Sequence, residues 1–540
     1  MRTRTTGSGR AWAALLLIAA VLAGCAQQQS ARRDDGNGLT VLLAQLRGSW
    51  QQQETSDWYS GQVWNQIVDT LLYRDTDGSV KPYLAQSWDV SPDGRHYYFH
   101  LRHGVTFSDG TPFDARIAAE NLTLLGLGDK KRGIPRNSNI PQSFHSATPI
   151  GDDTVDVTLD TPGNGLPEAL TGLATGMLAR STIEGTLRYQ SDLTHVVGTG
   201  PYTVESVDPE KQVVLHRRAD YDWPRAGAPH TGPAPIEKLT FDALKEDSLR
   251  VDALKAGQAD VIHYVEPTEE TRLADAGYRL LYSKYLGAVY GLQLRASADY
   301  VDDVRVRQAV QHGIDRQELL NTLYDHNWEP AHSIFQDNVD GTLDLSSEFA
   351  YDPAQAGRLL DEAGWTGRDR DGYRTRDGHR LSLFVYPSVY ITTSRTELQL
   401  VAQQLRRLGI ELQIRGTDFN SYNSQTVSPK LPVYEIHWSM YSFTSLQSWW
   451  GSKKQNVFRA GDPHLDDLLG GIVAASSPQQ LRPLLAELQH LLIEQAYFIP
   501  LHQIYETFAS APYVHGLDAT GLGRLVFYDA TLDGNRGSRS

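Results

Sequence analysis

Cysteine is almost missing: Cys25 is the one cysteine in 540 residues. A single thiol excludes an intramolecular disulfide, so the fold must rest on packing alone. Catalytic signatures are missing as well. No Gly-x-Ser-x-Gly elbow, His-Glu-x-x-His pair, Cys-x-x-Cys motif or Gly-rich loop ending in Gly-Lys occurs. Paired carboxylates leave no comparable mark, so a carboxylate-dependent hydrolase stays open as an alternative. Positive charge is in deficit, with 50 Lys and Arg against 65 Asp and Glu and a net charge of −15. That surface opposes phosphate backbones and argues against nucleic acid as a partner. Repeats and low-complexity tracts are lacking, and no apolar stretch after residue 22 is long enough to cross a membrane.

What is present is the composition of a soluble chain, 40% hydrophobic and 21% charged. Its length exceeds what one hydrophobic core serves, so two or more packed lobes are expected. The N-terminus is set apart: Arg2, Arg4 and Arg10 precede an apolar run from Ala11 to Leu22. A dozen residues at 1.5 Å each reach about 18 Å, short of a bilayer core, so the run reads as a signal peptide over 1–24. Leu22-Ala23-Gly24-Cys25 then looks like a lipobox, which implies lipidation of the Cys25 sulfur. Several acyl chains hold a protein at a membrane surface at about 0.8 kcal/mol per buried methylene. Residues 25–38, rich in Gln, Arg, Asp and Gly, suit a lipidated tether. Losing the three leader arginines takes the net charge to −18. The alternative is a stray cysteine beside a chance cleavage site.

Strand and helix patterns alternate through the remainder, which points to α/β lobes. Val155 to Leu159 alternates apolar and polar residues, as a half-buried strand does. Asp352-Pro353, the apolar positions Ala356, Leu359, Leu360 and Ala363, and Gly364 predict a capped helix. Ser394 to Glu397 has capping-box spacing before the stripe Leu398, Val401, Leu405 and Leu408, and Asp315 with Glu318 repeats the pattern. Leu481, Leu484, Leu485, Leu488, Leu491 and Leu492 predict a late amphipathic helix. Asp-Gly pairs at 77–78, 93–94, 109–110, 371–372 and 377–378 read as hairpin turns.

Motifs then accumulate in order: Pro82 to Trp88, Ser91 to Arg95, Gly104 to Pro112, Gly198-Thr199-Gly200-Pro201-Tyr202, Leu254 to Asp260, Val304 to Val310, Ala356 to Trp365 and Phe498 to His502. In these the chain resembles the extracellular solute-binding proteins of the oligopeptide, dipeptide and nickel import family. Their residues are mostly structural, with glycines at turns and Trp88, Phe99 and Phe107 supplying core area. The resemblance implies an α/β, two-lobed periplasmic-binding-protein type II fold with an inserted subdomain. Lobe I is expected over 39–74, 191–285 and 505–535, the subdomain over 75–190 and lobe II over 286–504. Two crossovers are placed near Lys284 to Leu286 and Ile504 to Thr507. Ligand capture by hinge closure is implied, with delivery to an ABC permease on the extracytoplasmic face of the cell membrane. The resemblance also implies a monomer without cofactor or catalytic residue.

In peptide-binding members a lobe II strand ends in Trp, two variable residues, Asp and often Tyr, and the Asp pairs with the ligand's α-amine. Trp438-Ser439-Met440-Tyr441 stands in that place here, without the carboxylate. A buried ammonium would lose a charge-assisted hydrogen bond there, which moves the expectation from a free peptide N-terminus toward a metal chelate or metallophore. Arg136 resembles in position an arginine that nickel-type members use for ligand carboxylates, and a guanidinium suits a bidentate carboxylate; the alternative is a solvated loop arginine. Tyr390, Tyr422, Trp438, Tyr441, Trp449 and Trp450 are expected to wall the ligand, with core packing as the alternative. His437 is a candidate metal ligand, although strand alternation points it opposite Trp438. His96 and His100 share a strand face near His103; a solvated sheet face explains them as well as metal does. A receptor for an extracellular protein is the second rival function, and an exposed apolar patch would mark it.

Overall fold

The computed structural model describes residues 37–52, 58–163, 165–389, 391, 393–416, 419–426, 428, 430–440, 442–452, 461–475 and 477–533. The leader, Cys25, Tyr390 and Tyr441 lie outside the described residues. No helix among those described is long and apolar enough to cross a membrane.

A seven-stranded mixed sheet organises the first lobe. Its strands run in the order Arg279–Lys284, Tyr505–Ser510, Val261–His263, Gly38–Leu43, Lys238–Ala243, Gln212–Arg217 and Tyr202–Asp208. Gly38–Leu43 lies parallel to both neighbours and is buried almost throughout, as a central parallel strand should be. The sheet thus combines three stretches of chain that are far apart in sequence.

A four-stranded antiparallel sheet shares that lobe's core, in the order Ala85–Val90, His96–Leu101, Thr154–Leu159 and Phe144–Ile150. Val155, Val157 and Leu159 face inward with Tyr97, Phe99 and Leu101, which is the alternation expected from sequence. The helix Ala115–Leu127 begins at Asp114, whose carboxylate accepts from the amides of Arg116 and Ile117 at 3.0 Å each. The outward histidines each have a carboxylate of their own: His96 with Asp156 at 3.1 Å, His100 with Asp89 at 2.9 Å and His103 with Asp153 at 3.8 Å. No group of three metal-ligating side chains occurs among the described residues.

The second lobe carries a three-stranded antiparallel sheet in the order Val433–Ile436, Tyr290–Leu294 and Phe498–His502. A parallel pair, Ser382–Val385 with Glu411–Ile414, lies apart from it. The helix Pro353–Glu362 forms as expected: Asp352 accepts from the Gln355 amide at 2.8 Å and Gly364 adopts φ +84° just beyond the end. Asp315 likewise accepts from Glu318 N at 3.0 Å. Ser394 departs from expectation. The helix Ser394–Leu408 is entered through Thr393, and Ser394 Oγ turns inward to donate to Glu435 at 2.8 Å. Glu397 accepts instead from Thr393 Oγ1 at 2.6 Å and from the buried His502 and Tyr324 side chains. Tertiary hydrogen bonds have outcompeted the local capping box. The Asp-Gly pairs all turn the chain with glycine φ between +67° and +86°; Asp109-Gly110 does so in a loop closed by the Thr106–Pro112 bridge rather than between two strands.

The cores follow the sheets. One cluster draws on residues 39–278 and 508–530, and two more draw only on residues 286–501. A small fourth cluster, Leu320, Trp328 and Tyr505 with Tyr282 and Tyr324, lies where they meet. The chain passes between lobes at 285–289 and again at 503–504, and Lys284 pairs with Tyr505, so the two passages run side by side.

Candidate functional site

The passage through residues 285–289 lies between side chains of both lobes. From the first lobe, Trp58, at the start of the helix Trp58–Ile67, brings its ring to 5.1 Å from that of Tyr285. From the second, the strand Val433–Ile436 runs on through His437, Trp438 and Ser439 and clamps the passage. Tyr285 Oη donates to His437 O at 3.0 Å, Ala288 N to Trp438 O at 2.9 Å and Met440 N to Leu286 O at 2.8 Å. Gly287 permits this approach, since a Cβ there would lie 2.1 Å from Trp438 O. The return passage is fixed to the second lobe by Gln336, whose amide donates to Ile504 O at 2.8 Å and accepts from Ile504 N at 3.0 Å. Both passages are therefore hydrogen-bonded to the second lobe as well as continuous with the first-lobe sheet.

Residues 165 and 442 bring the two lobes together at another point. A methyl group placed on Gly165 would be 3.1 Å from Ser442 Oγ. The region between the Trp58–Tyr285 contact, beside the His437 to Ser439 segment, and the Gly165–Ser442 approach is where segments of both lobes come together, and it is the candidate ligand site. A separate hollow opens inside the first lobe, lined in part by Arg225, Tyr83 and Tyr528. Three of its polar groups are already engaged, Tyr83 with Asp69 at 2.5 Å, Tyr528 with Gly232 O at 2.7 Å and Arg225 with Asp518 at 2.6 Å.

The expected wall residues take different places. Trp438 is half-buried, with its ring 5.3 Å from Trp449 and 6.0 Å from Tyr434. Trp449 is 9% exposed, whereas Trp450 has no exposed surface and packs edge-on to Trp449 and near Phe498. Tyr422 is 2% exposed, and burial beside Tyr434 and Glu435 pushes its phenol up. Arg136 donates to Gly126 O at 3.1 Å, Ile140 O at 3.1 Å and Pro141 O at 2.8 Å, so its guanidinium closes its own loop.

Beneath the cleft strand lies a buried acidic network. Glu435 accepts from Ser388 N at 2.6 Å, from Ser394 Oγ and from Tyr290 Oη, and burial pushes its carboxyl up to about 7. His437 carries a buried Nδ1 with no hydrogen-bond partner among the described residues. Burial lowers its imidazole to about 4, against the pull of Glu397, so the ring is neutral at pH 7. Trp58 and Tyr285 escaped sequence reasoning as cleft residues. Tyr285 lies inside the crossover that the family resemblance implies near Lys284 to Leu286, and that position is its available signal.

Comparison with known proteins accords with this architecture. The family model for bacterial extracellular solute-binding proteins, family 5 middle, matches residues 79–457. The glutathione-binding protein GsiB of Salmonella choleraesuis is 25% identical over 484 residues, covering 87% of this chain and 88% of its own. Among solved structures, NikA from Brucella suis in complex with Fe(III)-EDTA superposes with a TM-score of 0.79 at 24% identity, covering 92% of this chain and all of its own. A dipeptide-binding protein from Pseudoalteromonas in complex with Met-Leu gives a TM-score of 0.75 at 19% identity over the same shares.

Proposed function

Because the chain belongs to the bacterial extracellular solute-binding proteins of family 5, we propose that it captures a peptide-like or metal-chelate solute between its lobes and delivers it to the permease of an ABC importer. The observation that carries this reading is the pair of adjacent passages at 285–289 and 503–504, which join two separately cored bodies. A hinge of this kind closes when a solute makes contacts with both bodies, and the closed form gains only as much as those contacts differ from the open ones. Lobe I is assigned to 39–74, 191–285 and 505–535, the subdomain to 75–190 and lobe II to 286–504. Trp438 and Trp449 form the aromatic side of the cleft, and Cys25 carries the lipid that keeps the protein at the extracytoplasmic face of the membrane. The protein acts by binding, without turnover.

Native mass spectrometry of the protein purified from cells tests this. A co-purifying solute whose release enlarges the scattering radius supports capture; saturable turnover of that solute would favour the hydrolase reading instead. A metal chelate is the more specific alternative to a peptide because the segment Trp438-Ser439-Met440-Tyr441 lacks the carboxylate that peptide-binding members use for an α-amine. NikA from Brucella suis was solved with such a chelate.

A further inference from the structure

The carboxylate missing from the end of the cleft strand has a counterpart on a neighbouring strand of the first lobe. Glu506 is the second residue of Tyr505–Ser510, directly after the return passage, and pairs across the sheet with Ser283, two residues before Tyr285. Its side chain is 13% exposed. Trp58 and Glu506 converge on Gly523: a Cβ on that glycine would lie 2.8 Å from the Trp58 ring and 3.5 Å from Glu506 Cγ. Trp58 in turn lies against Tyr285, so the carboxyl belongs to the same wall as the aromatic pair. Burial and the Glu506 charge together push the Tyr285 phenol up, in keeping with that proximity.

The carboxylate is oriented. His263 Nε2 donates to Glu506 Oε2 at 2.6 Å, and the ring is held by Tyr59 at 5.7 Å and Phe508 at 5.0 Å. His263 is 3% exposed, and its Nδ1 is buried without a hydrogen-bond partner among the described residues. The imidazole thus fixes the orientation of the acid through one of its two oxygens. Neither Lys nor Arg among the described residues pairs with Glu506; the nearby Arg524 lays its guanidinium 4.3 Å from the Trp58 ring and donates to Leu522 O. Glu506 Oε1 accepts no hydrogen bond from the described residues. A negative oxygen with a spare acceptor, set beside two aromatic rings, is the chemistry that receives a cationic nitrogen.

We propose that Glu506 is the acidic anchor of the ligand cleft, positioned by His263, and that the captured solute carries a free ammonium or guanidinium nitrogen. This rests on the solute-capture reading above and narrows its ligand class.

The test is calorimetry on the mature protein with three probes: a pool of free-amine di- and tripeptides, the same pool N-acetylated, and the nickel–histidine complex. Native mass spectra of the protein as purified accompany it. The free-amine pool is expected to bind, acetylation to abolish the heat, and Glu506→Gln to weaken binding about ten- to a hundredfold, the worth of a charge-assisted hydrogen bond. Glu506→Asp should keep part of the affinity. Equal binding of capped and uncapped pools overturns the anchor and needs no variant that might misfold, as does a probe bound equally by the native protein and Glu506→Gln; solute capture survives either result. No heat from any probe, with a bare mass as purified, overturns solute capture and the anchor with it.

Discussion

Gly287→Ala isolates the contact on which the cleft depends. The added methyl would lie 2.1 Å from Trp438 O and 2.8 Å from Ser439 Cα, where ordinary carbon contacts begin near about 3.5 Å. Relief requires the passage and the cleft strand to part by more than about 1 Å, which stretches the Ala288 N to Trp438 O hydrogen bond from 2.9 Å past its useful range. The Met440 N to Leu286 O bond, at 2.8 Å, flanks the same point and suffers with it. Two hydrogen bonds at about 1 kcal/mol each, with about 1 to 2 kcal/mol of residual overpacking, give a loss of about 3 kcal/mol. Gly372→Ala is the control, because Gly372 also has positive φ, +86°, but nothing lies within 4 Å of the added atom; its cost is backbone strain of about 1 kcal/mol. Urea unfolding of the three proteins, with ligand titrations by calorimetry, reads both effects. Gly287→Ala should be the less stable variant and the one that loses affinity. If the two substitutions cost the same and binding survives in both, the passage is not held by the cleft strand and the hinge geometry described above is wrong.

Glu270 gives a pH prediction. It is buried against Trp328 Nε1 and accepts from Tyr282 Oη at 3.1 Å, and burial raises it to about 7 from an ordinary 4.5. The native state therefore keeps this proton to higher pH than the unfolded chain, so its contribution is full below about pH 4.5 and is lost as pH rises to about 7, by about 1.4 kcal/mol per pH unit. Glu270→Gln should gain on the native protein from pH 5 to 7 and level off above in urea melts; a difference that ignores pH refutes the assignment. Trp450→Ala, emptying a site with no exposure, should cost about 3 to 5 kcal/mol, while Trp438→Ala should cost less stability and more ligand affinity, as thermal melts with and without ligand would register. Cys25→Ser should move the protein from membrane to soluble fractions in cell fractionation; retention at the membrane would exclude the lipid anchor.

What could be read in advance was whatever a short stretch of chain decides for itself. Asp352, Pro353 and Gly364 specify a helix through contacts within about four residues, and the helix is there. The same holds for the turns at Asp93-Gly94 and Asp377-Gly378, where glycine takes the positive φ that the geometry demands. Ser394 marks the limit. Its spacing to Glu397 is that of a capping box, yet Glu435, 41 residues away, offers its hydroxyl a buried carboxylate that needs donors, and the local motif loses. A capping hydrogen bond is worth about 1 kcal/mol, less than leaving a buried carboxylate unsatisfied.

The cleft is harder to read because strand alternation tells which residues share a face but not how deep each lies. Trp449 and Trp450 are adjacent in sequence and equally apolar, yet the short helix Leu446–Trp450 turns Trp450 into the core against Phe498 and leaves Trp449 to carry the ring of Trp438. The acid of the cleft is harder still. Motif reasoning looked for a carboxylate on the strand that bears Trp438, whereas Glu506 reaches the neighbouring wall from the first lobe, and its partner His263 is 243 residues away in the chain. A binding wall made where two lobes meet needs only the right charge at the right place, and either lobe can supply it. Which one does is fixed by long-range register, here Lys284 against Tyr505 and Ser283 against Glu506, which no window of sequence contains.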